Sequence, residues 1–172
     1  MSRFFRLGVA LIILAGMLVG CTDETTGRYR FEGSSMSPTL SDGEYLVTDN
    51  LAYLEESPQR GDIVLLSRPG GRTYLKRVIG LPSESLEVRG GKVLINGTEL
   101  SEPYLYEPMR VDSPARKIGA DHYFVMGDSR NMSSDSRTFG PIAISDIIGR
   151  ATFVYYPFKQ MRFITRPQYD VK

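Results

Sequence analysis

With 172 residues and a net charge near +1, the chain has room for one domain with a true core and too little length for two ordinary ones. Apolar residues make up 41% and charged residues 24%, with acids and bases interspersed, which excludes a disordered chain and a basic nucleic-acid surface. The single cysteine, Cys21, excludes an internal disulfide framework and a cysteine-built zinc site, and no metal or other cofactor is expected.

Arg3 and Arg6 precede an uncharged apolar run from Leu7 to Gly20. As a helix this run rises about 21 Å, against a hydrocarbon core of roughly 30 Å. It is short for a membrane span and suits the apolar core of a signal peptide. The run ends in Leu18-Val19-Gly20-Cys21, which resembles the bacterial lipoprotein box and implies lipidation of Cys21. The alternatives are an uncleaved apolar anchor helix and plain secretion. In the first two cases the arginines stay on the cytoplasmic side and the domain works tethered outside the membrane. Residues 1–21 thus read as a signal or anchor segment, 22–30 as a polar linker and 31–172 as the folded domain.

Turn signals then follow at short intervals: Asp42-Gly43, Arg60-Gly61-Asp62, Pro69-Gly70-Gly71, Gly90-Gly91, Asn96-Gly97 and Gly140-Pro141. Between them lie β-branched and aromatic runs, among them Ile63 to Leu66, Tyr74 to Ile79, Tyr123 to Met126 and Ala151 to Tyr156. This spacing predicts an all-β barrel or sandwich of antiparallel hairpins. Asn96-Gly97 is the strongest hairpin signal, because a type I′ turn needs positive φ at both central residues. Asn50 to Glu56 and Ser145 to Ile148 are read as short helical turns, the second capped by Ser145.

The segment Gly33-Ser34-Ser35-Met36-Ser37-Pro38-Thr39-Leu40 places candidate nucleophiles in a turn ahead of these strands. A serine hydroxyl attacks poorly until a base takes its proton. The only histidine, His122, reads as a turn or strand-edge residue. A better base is Lys76. Strand alternation sets it on one face with Tyr74 and Val78, and such surroundings disfavour the ammonium form and lower the pKa. Alone, Lys76 would be an ordinary lysine whose stem packs while its head reaches water.

Four segments change that reading. Gly33 to Leu40 resembles the nucleophile box of the bacterial type I signal peptidases. Arg60-Gly61-Asp62-Ile63-Val64, Lys76-Arg77-Val78-Ile79-Gly80-Leu81-Pro82 and Gly127-Asp128-Ser129-Arg130-Asn131-Met132-Ser133-Ser134-Asp135-Ser136-Arg137 resemble the family's later boxes, in the family's order. The resemblance covers about Phe31 to Phe158. It implies a fold related to that of LexA-type peptidases, barrel-like and antiparallel, with residues 83–119 as a small β insertion. It also implies a membrane-anchored serine endopeptidase that removes signal peptides from exported preproteins after Ala-x-Ala.

By the same resemblance Ser35 is the nucleophile, Lys76 the general base and Ser133 the serine that orients the lysine. Asp135 and Arg137 are a supporting ion pair on one face of an extended segment, with Arg77 and Gly33 also in support. Gly33 stands where some members carry a serine hydroxyl that completes the oxyanion hole. Met36, Leu40 and Leu75 are expected to line a shallow pocket for small side chains. The partners expected are preproteins and membrane lipid, with no nucleic acid, and the chain is read as a monomer on the outer face of the cytoplasmic membrane. Competing readings are a dedicated maturation peptidase for a pilin or conjugation protein, a self-cleaving regulator of the LexA type, and a non-catalytic lipoprotein on the same scaffold.

Overall fold

The computed structural model describes residues 25–169. The anchor segment 1–21, with Cys21 and the start of the linker, lies outside them. The described chain is mainly β, and every strand pairing is antiparallel. The strands of the larger sheet are β1 (Thr26–Arg30), β2 (Tyr45–Asp49), β3 (Ile63–Arg68), β4 (Arg72–Gly80), β9 (His122–Met126), β10 (Ile142–Ala143), β11 (Ile147–Tyr156) and β12 (Arg162–Phe163). They follow the order β1-β2-β11-β3-β4-β9-β10, with β12 on β11. Among the described residues this path is open at β1 and β10, so hydrogen bonding does not close the expected barrel.

Residues between β4 and β9 form a separate sheet, β7-β6-β5-β8, from β5 (Ser85–Arg89), β6 (Lys92–Ile95), β7 (Thr98–Glu99) and β8 (Ser113–Lys117). Asn96 and Gly97 both have positive φ, 51° and 86°, and join β6 to β7 as the hairpin rule requires. The two sheets share one apolar cluster, in which Ile79, Phe124 and Met126 of the larger sheet pack with Leu86, Val88 and Val93 of the smaller.

Three local expectations are corrected. Residues 22–30 are not all linker: Thr26–Arg30 pairs with β2 as an edge strand whose alternate residues are exposed. Asn50 to Glu56 forms turns rather than a helix. The turn near Ser145 is a 3-10 turn at Ile144–Asp146, flanked by Ala143 without a side-chain cap.

The loop from Phe31 to Glu44 is closed at its base by Phe31 N–H to Glu44 O (2.7 Å) and Gly43 N–H to Phe31 O (2.9 Å). From the far end of the chain Arg162 reaches under this loop. It grips both carboxylate oxygens of buried Glu44 (2.8 Å each) and donates to Thr39 O (2.6 Å). Removing one partner of such a pair strands a buried charge. Arg162→Ala is therefore expected to lower unfolding stability by about 2 kcal/mol in a denaturant titration. Adding Glu44→Gln to that variant recovers part of the loss, because the stranded charge is gone.

Candidate active site

Ser35 lies in this closed loop, where a tight turn forms through Ser37 N–H to Ser34 O (3.1 Å) and Leu40 N–H to Met36 O (2.9 Å). Gly33 enters the turn at φ +89°, and its N–H is committed to Asp42 Oδ1 (2.7 Å). Met36 and Leu40 are completely buried and pack with Leu75 and Leu46, so they pin the loop from below.

Lys76 is placed by an interruption in the sheet. β4 pairs with β3 along Arg72 to Arg77, but with β9 only from Arg77 onward. The edge of β4 from Arg72 to Lys76 thus has no strand partner on that side among the described residues. Lys76 stands where β9 departs into Gly127-Asp128. The residue is 2% exposed, and Nζ lies 2.9 Å from Ser35 Oγ, 3.0 Å from Leu75 O and 5.4 Å from the centre of the Tyr74 ring. Burial pushes the amine down from its ordinary 10.5 to about 8, and the nearby carboxylates of Asp135 and Asp128 oppose the drop. Each of those carboxylates already has a guanidinium.

Arg77, on the opposite face of β4, makes a two-point ion pair with Asp128 (2.8 and 2.6 Å), donates to Gly61 O (2.8 Å) and stacks on Tyr104 at 4.3 Å. Both partners are buried, and although burial opposes its charge, the Asp128 carboxylate holds Arg77 protonated. Thr39 Oγ1 also donates to Asp128, which ties the Ser35 loop to the Gly127 loop. Arg137 pairs with Asp135 at 2.8 Å on both oxygens. The two do not lie on an extended segment: Asp135 is the N-cap of α1 (Ser136–Phe139), a single helical turn, and accepts from Arg137 N–H (3.2 Å) and Gly127 N–H (3.0 Å). A cap aspartate satisfies helix donors that would otherwise be orphaned.

The Ser133 hydroxyl is buried and, among the described residues, has no hydrogen-bond partner; the bond to Lys76 that the family resemblance implies is not made. It nevertheless belongs to the site. A Cβ added to Gly127 would stand 2.5 Å from Ser133 Cβ and would also collide with Ser133 Oγ and Ser35 O. Ser129 N–H holds that same Ser35 carbonyl (3.2 Å). Glycine is required at 127 by close approach.

A groove of about 150 Å³ opens over Ser35 and Lys76, lined by Tyr29, Phe31, Leu65, Tyr74 and Leu75 among others. Of the three pocket residues expected from sequence, Leu75 lines this groove, while Met36 and Leu40 lie in the core. Tyr29, Phe31 and Leu65 were not anticipated. Tyr29 and Phe31 alternate with Arg28, Arg30 and Glu32, which was the available signal, whereas Leu65 sits in the continuous apolar run Ile63 to Leu66; nothing local says which face meets the nucleophile.

A serine hydroxyl on a buried amine, beside an unpaired strand edge, marks the molecule as a serine peptidase. Residues 3–156 match the family model described as signal peptidase, peptidase S26. The chain is 37% identical to signal peptidase I of Bacillus amyloliquefaciens, over 94% of this chain and 90% of that protein. It is 39% identical to a probable signal peptidase I of a Synechocystis species, over 90% and 84%. A crystal structure of a signal peptidase I from Enterococcus faecalis shares 34% identity and a TM-score of 0.50, over 55% of this chain and 97% of that one. The chain belongs to the signal peptidase family and is a peptide-bond hydrolase.

Proposed function

We propose that this enzyme is a membrane-tethered endopeptidase that releases exported proteins from their signal peptides, with Ser35 as nucleophile and Lys76 as general base. The observation that carries the reading is the 2.9 Å contact between a hydroxyl and an amine withheld from water. Neutral Lys76 takes the Ser35 proton as Oγ attacks the scissile carbonyl carbon. The Ser35 N–H stabilises the resulting oxyanion. As the C–N bond breaks, the Lys76 ammonium gives its proton to the leaving amine. Water, deprotonated by Lys76, then cleaves the acyl ester and the proton returns to Ser35.

The preprotein adds as a strand along the free edge of β4, facing the segment at Tyr29 to Glu32. The small groove favours alanine-sized side chains before the cut. Ser133 is a positioning residue whose free hydroxyl meets the lysine once substrate is bound. Residues 1–21 tether the domain, which starts with β1 at Thr26, to the outer face of the cytoplasmic membrane, as a lipidated Cys21 or an anchor helix. Among the described residues no helix is long and apolar enough to cross a membrane. An aromatic band supports apposition to lipid: Phe158 and Phe163 are 76% and 77% exposed, next to Tyr156 and Met161.

The test supplies the full chain, in detergent or vesicles, with a precursor bearing Ala-x-Ala. Wild type cleaves at that site, and Ser35→Ala reduces the rate to background. Undiminished processing by folded Ser35→Ala would remove the serine from the mechanism.

A further inference from the structure

A second groove, of about 420 Å³, opens on the other side of Ser133. One wall is Asp112, Ser113 and Arg116, and the other is Asn131, Ser133 and Thr138. It shares no lining residue with the groove over Tyr29 and Leu75, and the two approach each other across Gly127, which touches Ser35 and Ser133 together. The Ser113 wall is β8, which among the described residues is an edge strand of the smaller sheet, so its outer backbone edge is open to an extended chain.

Charge in this groove is unevenly satisfied. Arg130 also lines it but is matched by Glu102 and Tyr104 OH, and Arg137 is matched by Asp135. Asp112 sits at the rim and accepts from Gly91 N–H (3.4 Å). Arg116 is half-buried, and among the described residues no carboxylate pairs with it. Among the described residues the groove therefore holds a guanidinium, Arg116, with no direct carboxylate partner, a rim carboxylate, Asp112, with no cation on it, and one buried, unpartnered hydroxyl.

We infer that this groove receives the first few residues after the scissile bond and that Arg116 selects substrates whose mature region begins with acidic side chains. The inference rests on the peptidase reading above. If the residues before the cut occupy the apolar groove over Ser35, those after it must leave past Lys76, which protonates their new amine. Ser133 is the next surface on that route. An extended segment continuing along β8 then brings a carboxylate at the second to fourth position after the cut beside Arg116.

The experiment is a competition, with the full-length enzyme in vesicles, between two Ala-x-Ala precursors differing only in carrying aspartates or lysines at those three positions. Wild type is expected to cleave the acidic precursor with about fivefold higher kcat/KM, and Arg116→Glu to invert the ratio. The preference should fade near 1 M salt, where screening acts within about 3 Å. Competition in one tube makes the ratio independent of how much enzyme is folded. Equal rates for both precursors, or a preference that survives Arg116→Glu, overturn this inference and leave the peptidase reading standing. Cleavage of neither precursor by folded wild type overturns the peptidase reading, and this inference with it.

Discussion

Lys76→Met is expected to abolish precursor cleavage and, near neutral pH, to make the protein more stable. Methionine matches the length of the lysine stem but has no proton to accept, so the Ser35 hydroxyl loses its base. The stability gain follows from the titration. In the folded chain burial lowers the Lys76 amine to about 8, whereas its ordinary value is 10.5. Between those values the unfolded state binds more protons than the folded one, so wild-type stability rises with pH across the window. Below about pH 8 the full penalty for burying the ammonium is present, about 3 kcal/mol; above about 10.5 it is gone. Methionine escapes the penalty but strands the Leu75 carbonyl, at a cost of about 1 kcal/mol.

The net gain expected at pH 7 is about 2 kcal/mol, and by strongly alkaline pH it should turn into a loss of about 1 kcal/mol. Denaturant midpoints of both proteins across pH measure it. The wild-type cleavage rate, over the same range, should rise with unit slope in log rate and level off above about pH 8, as the neutral amine becomes the dominant form. A methionine variant less stable than wild type at pH 7 would show that the amine is not held in a desolvated site.

Local structure was legible in this sequence wherever one residue type has one conformational use. Asn96-Gly97 marks its hairpin because both residues must take positive φ, and the β-branched runs at 63–66 and 74–79 became the central strands. Ser35 and Lys76 were readable only through four boxes in order, since nothing in their spacing of 41 residues brings them together. The sheet does that, by ending the β4–β9 pairing at Arg77. β1 was mistaken for linker because Thr-Gly-Arg-Tyr-Arg lacks an apolar face, as charged edge strands often do. Asp135 was assigned to an extended segment although an aspartate opening a short run that closes on Gly140 is a capping signal. The pairs Arg162–Glu44 and Arg130–Glu102 had no signal at all. Charges 118 and 28 residues apart carry no periodicity that names their partner.

Gly127→Ala is expected to lower kcat at least 100-fold while changing KM little, and to cost roughly 1–3 kcal/mol of stability from overpacking. The glycine is caught on four sides. Its N–H is held by Asp135 (3.0 Å) and its carbonyl by Arg130 Nε (3.2 Å), so the backbone cannot slide. Its open face looks onto Ser133 and the Ser35 carbonyl, and a methyl carbon would stand 2.5 Å from Ser133 Cβ, where real contacts essentially never fall under 3.0 Å. The neighbours that must yield are backbone and a short buried side chain, not the flexible tip of a long one. Displacing the Ser35 carbonyl breaks its bond from Ser129 N–H and swings Ser35 Oγ away from Lys76. The groove lined by Tyr29, Phe31 and Leu65 lies on other elements, so substrate still binds. The loss therefore falls on the chemical step. Single-turnover cleavage separates that step from binding, and Ser133→Gly placed in the same chain supplies a second reading. Removing the Ser133 side chain leaves the Ser35 carbonyl as the remaining obstacle, so the double variant should regain most of the stability and still cleave far more slowly than Ser133→Gly alone. A rate equal to that of Ser133→Gly alone would mean that Gly127 serves Ser133 alone and that the Ser35 loop is positioned by other contacts.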